Sequence, residues 1–291
     1  MKKLIEKTKI LLEALPYLQE FRRKTFVVKF GGSAMEKPDI ISSVLRDIVF
    51  LENVGVRVIV VHGGGKAISA ELRKKNIEPS FQGGLRVTDK KTIKIVEDVL
   101  VNKVNKHIAE TIKKLGGDSV GISAADHGIL EASRLYHYEK SNGRRKRIDI
   151  GYVGKITKMR THPLYRILNA EKIPVIAPLA LGKDGFVYNV NADTAACEIA
   201  GRLKAEKLIF LSDVDGVYGK SKKLVPTLKT SEVSDYVKKG VISGGMIPKV
   251  ESMASAVRRG VHKTHIINGK IPHSLLLEIY TDSGIGTEFI K

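Results

Sequence analysis

Two runs of β-branched residues lead straight into glycine turns, and this pair constrains the fold more than any other feature of the chain. The first is Thr25-Phe-Val-Val-Lys-Phe-Gly-Gly-Ser-Ala34 and the second is Val58-Ile-Val-Val-His-Gly-Gly-Gly65. Each reads as a buried parallel strand that ends in a loop without side chains and then opens a helix. Glycine lets backbone N–H groups approach a ligand closely, and the helix N-terminus behind the loop favours negative charge. Lys29 lies inside the first strand, where an unpaired ammonium is costly to bury, so it is expected to point at an anion.

Further strands are expected at Ser119–Ile122, Pro174–Ala177, Lys207–Leu211 and Thr264–Ile267. Helices are expected at Asp39–Asn53, Lys66–Lys75, Asp89–Leu115, Pro163–Glu171, Asp193–Leu203, Ser231–Lys239 and Pro248–Gly260. The strands are near-continuous Val/Ile runs, the pattern of a sheet covered on both faces. This predicts an α/β fold, a three-layer α/β/α sandwich with a mostly parallel central sheet. A polar turn at Leu181-Gly-Lys-Asp-Gly185 suggests two lobes, residues 1–181 and 182–291.

At 291 residues and 43% hydrophobic, the chain is long enough to bury a full core. No apolar run approaches the ~18 residues a bilayer span requires. The basic start Met1-Lys-Lys is followed by Glu6, Lys7 and Lys9, which leaves no signal-peptide core. A single cysteine, Cys197, offers no disulfide framework and fits a reducing cytoplasm. The net charge of +19 suits a polyanionic ligand such as ATP, an acidic partner or nucleic acid. Most basic residues are interspersed with Asp and Glu, as on a solvated surface. The one cluster, Arg144-Arg-Lys-Arg147, reads as an exposed basic loop, and no nucleic-acid-binding fold accompanies it.

Residues 2–15 carry Leu4, Ile5, Leu11, Leu12 and Leu15 at helical spacing, with Pro16 expected to stop the helix. That apolar stripe must be buried on its own subunit or on a neighbour. Four later segments add chemistry. Gly84-Leu-Arg-Val-Thr-Asp89 offers a guanidinium able to hold a carboxylate by two parallel hydrogen bonds. Asn189-Val-Asn-Ala-Asp-Thr194 places amides and a carboxylate at a helix start, where Asp193 could act as an N-cap. Leu211-Ser-Asp-Val-Asp-Gly-Val217 ends a buried strand in acidic residues and glycine, a position where open α/β sheets bind ligands. Ser243-Gly-Gly-Met-Ile-Pro-Lys249 opens a helix with glycines and a lysine.

In this order, Lys29–Met35, His62–Gly65, Gly84–Asp89, Asn189–Thr194, Ser212–Val217 and Gly244–Lys249 resemble the amino-acid kinase family, and within it the N-acetylglutamate kinases. The resemblance runs from about residue 10 to the carboxyl end. It implies transfer of the ATP γ-phosphoryl group to the γ-carboxylate of N-acetyl-L-glutamate, a step of arginine biosynthesis. It also implies roles for individual residues. Lys29 and Lys249 would neutralise the transferring phosphoryl, and Asp193 would hold both ammonium groups. Gly31, Gly32 and Gly64 would donate N–H bonds to phosphoryl oxygens. Gly64 and Gly65 would border the substrate, Arg86 would grip its α-carboxylate and Asn189 would bond its acetamido group. Ser212, Asp213 and Gly216 would line the nucleotide pocket. Mg²⁺ would travel with ATP, with no protein metal ligand and no tightly bound cofactor expected.

The chain ends resemble the arginine-inhibited branch of these kinases. That likeness implies an N-terminal helix that joins dimers into a hexamer, with L-arginine bound near Tyr17, Lys204, His265, Glu278 and Gly284. Lys66-Ala67 stands where the family usually has Pro-Gln, and Ser123-Ala-Ala-Asp126 where it usually has Ser-Gly-Lys-Asp. A related kinase acts on an amino acid carried on a small acidic protein, a partner that the surplus positive charge would suit. Neither a membrane nor nucleic acid is expected as a partner.

Overall fold

The Val/Ile runs form the middle of an eight-stranded sheet. Its order is Thr227–Lys229, Thr287–Ile290, Lys263–Asn268, Lys207–Ser212, Thr25–Phe30, Arg57–His62, Ile173–Ala177, Ser119–Ser123. The structure, a computed structural model, describes residues 1–141, 144–219, 221–281 and 283–291. All neighbouring pairs in this sheet run parallel except Lys263–Asn268 with Thr287–Ile290. The six strands expected from sequence are all present, each shifted by a residue or so. The two short strands at one end of the sheet, Thr227–Lys229 and Thr287–Ile290, were not foreseen. The strands before residue 181 form one half of the sheet and those after 182 the other, meeting where Thr25–Phe30 pairs with Lys207–Ser212.

The inner strands are buried on both faces, so Phe26, Phe30 and Phe210 are fully enclosed between the helical layers. Each such side chain contributes roughly 1.5–3 kcal/mol relative to exposure. One face is covered by helices that include Ala192–Leu203 and Met246–Arg258. The other is covered by Pro38–Asn53 and Lys106–Lys114.

A second sheet closes on itself from Val187–Asn189, Arg144–Met159, Leu130–Ser141 and Leu179–Gly182. Its long antiparallel hairpin corrects the expected basic loop. Arg144 and its successors pair in register with Ser141 back to Tyr138, so the cluster opens a strand. The Arg147 guanidinium lies 4.6 Å over the Tyr136 ring, and that stacking explains why tyrosines and arginines occupy paired strands. The side chains of Arg144 and Arg145 lie outside the described residues.

Two helices also depart from expectation. The helix expected over Asp89–Leu115 is α-helical over Lys90–Glu97 and Lys106–Lys114, with a π-helical stretch, Asp98–Asn105, between them. The first helix does not stop at Pro16; it runs through it from Lys2 to Phe21. The lost hydrogen bond is offset by packing: Phe21 is buried against Phe26, and Tyr17 meets Tyr280 edge-on at 6.1 Å. The stripe's Ile5, Leu12 and Leu15 are exposed, while the side chains of Leu4 and Leu11 lie outside the described residues. Among the described residues, no helix is long and apolar enough to cross a membrane.

Candidate active site

Three parallel strands, Thr25–Phe30, Arg57–His62 and Lys207–Ser212, release their carboxyl ends on the same edge of the sheet. The two glycine turns leave the first two strands side by side. A Cβ on Gly31 would lie 3.2 Å from the Gly63 nitrogen, and one on Gly64 would lie 2.5 Å from Leu100 Cδ2. A side chain at position 31 would press the two turns apart, and one at position 64 would run into Leu100. Gly32, Gly64 and Gly65 line a cavity of about 260 Å³ together with Lys29, Asn189 and Asp193.

Lys29 Nζ pairs with Asp193 Oδ1 at 2.9 Å. Asp193 is not the helix cap that its position suggested. Asn191 takes that role, its side chain accepting from the Thr194 N–H at 3.0 Å, and this leaves the Asp193 carboxylate free to meet the lysine. Lys249 comes from the first turn of Met246–Arg258 and donates to Ser212 Oγ at 3.3 Å. Burial depresses the Lys249 ammonium below the usual lysine range; Asp193 opposes that shift, and the charge on Lys29 adds to it. Asp193 thus grips Lys29 directly and acts on Lys249 through space, rather than clasping both.

Arg86 is buried beneath the short hairpin that joins Phe81–Gln82 to Leu85–Arg86. Its Nη2 donates to the Gly65 carbonyl and to Ser69 Oγ, each at 2.8 Å, and its Cζ lies 4.7 Å from the Phe81 ring centroid. Its Nη1 is buried with no hydrogen-bond partner. A guanidinium locked on one side and unsatisfied on the other is built to receive an anion. Burial lowers its affinity for the proton, and Arg73 nearby adds to that. Ser69, one helical turn after Gly65, is a contributor that sequence reasoning missed.

His62 and Asn105 were missed as a pair as well. Asn105 Nδ2 donates to His62 Nε2 at 3.0 Å and to the Val175 carbonyl at 2.8 Å. His62 Nδ1 therefore carries its proton toward the Gly63 carbonyl at 2.8 Å. Burial pushes the imidazole down to about 4, so it is neutral at pH 7 and acts as a wedge under the second glycine turn.

On the nucleotide side of the expected site, Ser212 is buried beside Lys249, and Asp213 is exposed next to it. Gly216 instead packs against Thr287 and Leu224; a Cβ there would lie 2.8 Å from Leu224 Cδ1. That close approach accounts for the glycine without a ligand. Among the described residues, no group of three His, Cys, Asp or Glu side chains is positioned to hold a metal ion.

A separate cavity of about 480 Å³ is lined by Tyr17, His265, Glu278 and Gly284. Lys204 is not brought into it; it forms the left-handed C-cap of Ala192–Leu203, and Lys207 lines the cavity in its place. Glu278 is buried on a short helix, Ser274–Ile279. Its Oε1 lies 2.7 Å from His265 Nδ1, and its Oε2 accepts from the N–H groups of Ile285 and Gly286. Burial pushes Glu278 up, but these donors more than offset it and leave the carboxyl below its ordinary range.

The sequence profile of the amino acid kinase family matches residues 24–268. The acetylglutamate kinase of Halothermothrix orenii is 47% identical over 294 residues, covering 100% of this chain and 99% of its own length. The acetylglutamate kinase of Aquifex aeolicus is 45% identical over 294 residues, covering 99% of both chains. Among solved structures, N-acetylglutamate synthase from Neisseria gonorrhoeae complexed with coenzyme A and N-acetyl-glutamate superposes with a TM-score of 0.84 at 27% identity. The match covers 98% of this chain and 63% of the synthase. The same synthase with coenzyme A and L-arginine gives 0.79 at 26% identity, over 98% of this chain and 65% of the synthase.

Proposed function

The chain belongs to the amino acid kinase family, and on that premise we propose that it transfers the γ-phosphoryl group of ATP to the side-chain carboxylate of N-acetyl-L-glutamate, in arginine biosynthesis. The observation that carries this reading is that Arg86, whose Nη1 has no hydrogen-bond partner, lines the same small cavity as the Lys29–Asp193 pair. One end of that cavity suits a fixed carboxylate, and the other suits a transferring phosphoryl.

The acceptor carboxylate is ionised at pH 7, so no general base is needed to make the nucleophile. The barrier lies in bringing three phosphates and a carboxylate together in line. Catalysis then rests on positioning and charge. Lys29 and Lys249 neutralise the moving phosphoryl, and Asp193 keeps Lys29 from swinging away. The turns at Gly31, Gly32 and Gly64 supply backbone N–H donors. Arg86 holds the α-carboxylate of the acceptor beside Gly65, and Asn189 bonds its acetamido group. Ser212 and Asp213 belong to the nucleotide side, with Gly216 letting their loop pack against Thr287 and Mg²⁺ arriving on ATP. In this reading residues 1–181 form the acceptor lobe and residues 182–291 the nucleotide lobe.

Assembly and control form a further part of the proposal. The exposed Ile5, Leu12 and Leu15 support pairing of this helix with its copy on another subunit, building a hexamer from dimers. L-Arginine as a feedback inhibitor in the Tyr17–Glu278 cavity is supported by that cavity's buried acid and by the arginine-bound synthase. A cytoplasmic site of action accompanies this biosynthetic role.

The test is ATP turnover with N-acetylglutamate, glutamate and aspartate side by side. N-Acetylglutamate should be preferred by kcat/KM, and equal or greater turnover of either free amino acid would overturn the reading.

A further inference from the structure

The hairpin that carries Arg86 is held at one end only by backbone. Beyond Arg86, the Thr88 N–H donates to the Ile150 carbonyl at 2.9 Å, and the Thr88 carbonyl accepts from the Tyr152 N–H at 2.6 Å. Thr88 is buried, and its hydroxyl donates to the Arg86 carbonyl at 2.9 Å. The opposite end is the tight turn Gln82-Gly83-Gly84-Leu85, with both glycines at positive φ, +55° and +77°. Such a two-residue turn twists with its strands but has no side chain with which to anchor itself. What covers it is the imidazole of His137, on the strand Leu130–Ser141 opposite Ile148. A Cβ on Gly83 would lie 2.8 Å from His137 Nδ1 and closer still to Cε1.

Resting on the functional reading above, we infer that His137 is a positioning residue: its ring is a stop on which the Gly83-Gly84 turn rests, and it sets the depth at which Arg86 meets the acceptor carboxylate. The long basic hairpin then grips the acceptor-binding hairpin at both ends, at Thr88 by hydrogen bonds and at Gly83 by contact. Phe81 and Arg86 are cross-strand partners, so a tilt of the turn would move the stacked pair together. His137 touches neither the Lys29–Asp193 pair nor Lys249. Its loss should therefore act on binding of the acceptor and not on the phosphoryl-transfer step.

His137→Ala should raise KM for N-acetylglutamate roughly tenfold while kcat and KM for ATP stay within about twofold of wild type. His137→Phe restores a flat ring over the turn and should recover most of the loss. The chain contains no tryptophan, so Phe81→Trp supplies a single reporter on the hairpin that needs no turnover. In that background His137→Ala should increase acrylamide quenching and lower the emission anisotropy. His137→Gln, with the same direction of change expected, serves if the alanine variant does not fold. If wild type fails to phosphorylate N-acetylglutamate, the functional reading falls, and the tryptophan readout still decides the contact. Unchanged quenching, equal losses in both KM values and kcat, or failure of phenylalanine to restore either readout would overturn the role of His137.

Discussion

The ammonium of Lys29 and the carboxylate of Asp193 meet at 2.9 Å across the gap between a parallel strand and the first turn of the helix capped by Asn191. Both side chains are largely withdrawn from water, so each supplies the opposite charge that the other would otherwise lack there. Replacing Lys29 or Lys249 by alanine should lower kcat by roughly two orders of magnitude or more, the size typical of losing a transition-state charge contact. Steady-state kinetics at saturating substrates decides it; near-normal kcat would remove that lysine from the mechanism. Asp193→Asn should impair kcat by way of Lys29, with Lys249 left on Ser212.

Arg86→Lys should raise KM for N-acetylglutamate more than KM for ATP. An ammonium cannot bond Gly65 and Ser69 on one side and present a second nitrogen on the other. Initial-rate measurements with each substrate varied in turn separate the cases, and an equal loss for ATP would make the arginine nucleotide-facing.

The inner strands and the chemistry at their ends could be read from sequence because a doubly covered strand has nothing to alternate with, and Val58–Val61 shows it. The hairpin strand Leu130–Ser141 was invisible for the opposite reason: it buries little beyond Leu130 and Ala132 and mixes tyrosines with charges. Asn105 read as a polar residue in the middle of a helix, since its partner His62 lies 43 positions away in the chain. Pro16 carries only a local backbone signal, and the aromatic packing of Tyr17 and Phe21 that outweighs it depends on Tyr280 and Phe26, outside the helix. Lys204 forms a left-handed C-cap and does not line the cavity, which Lys207 lines three positions later.

The buried His62 carries a pH signature. Its folded pKa of about 4 lies below the ordinary value of 6.5, so between these limits the unfolded chain binds a proton that the folded one refuses. The neutral form's contribution is complete above pH 6.5 and is lost as pH falls toward 4. The loss amounts to at most about 3 kcal/mol. Denaturant midpoints measured across this window should fall less steeply for His62→Gln than for wild type, and parallel slopes would refute the assignment.

Deleting residues 1–16 removes the exposed stripe and leaves Tyr17 and Phe21 on the core. Light scattering should then show a dimer in place of the larger particle, with turnover largely retained and arginine inhibition strongly weakened. A truncated enzyme that keeps the full assembly would make the helix an intramolecular element.

The first helix continues through Pro16, so a tilt at its seated end is carried along its length. Twenty residues make a rod about 30 Å long, seated at Phe21 beside the Glu278 cavity and extending outward to Met1. A tilt of only ~10° at the seated end displaces the far tip by ~5 Å, one helical turn. A change too small to disturb the sheet beneath Tyr17 is thereby enlarged to the scale at which one molecule meets the next, making this helix a lever arm.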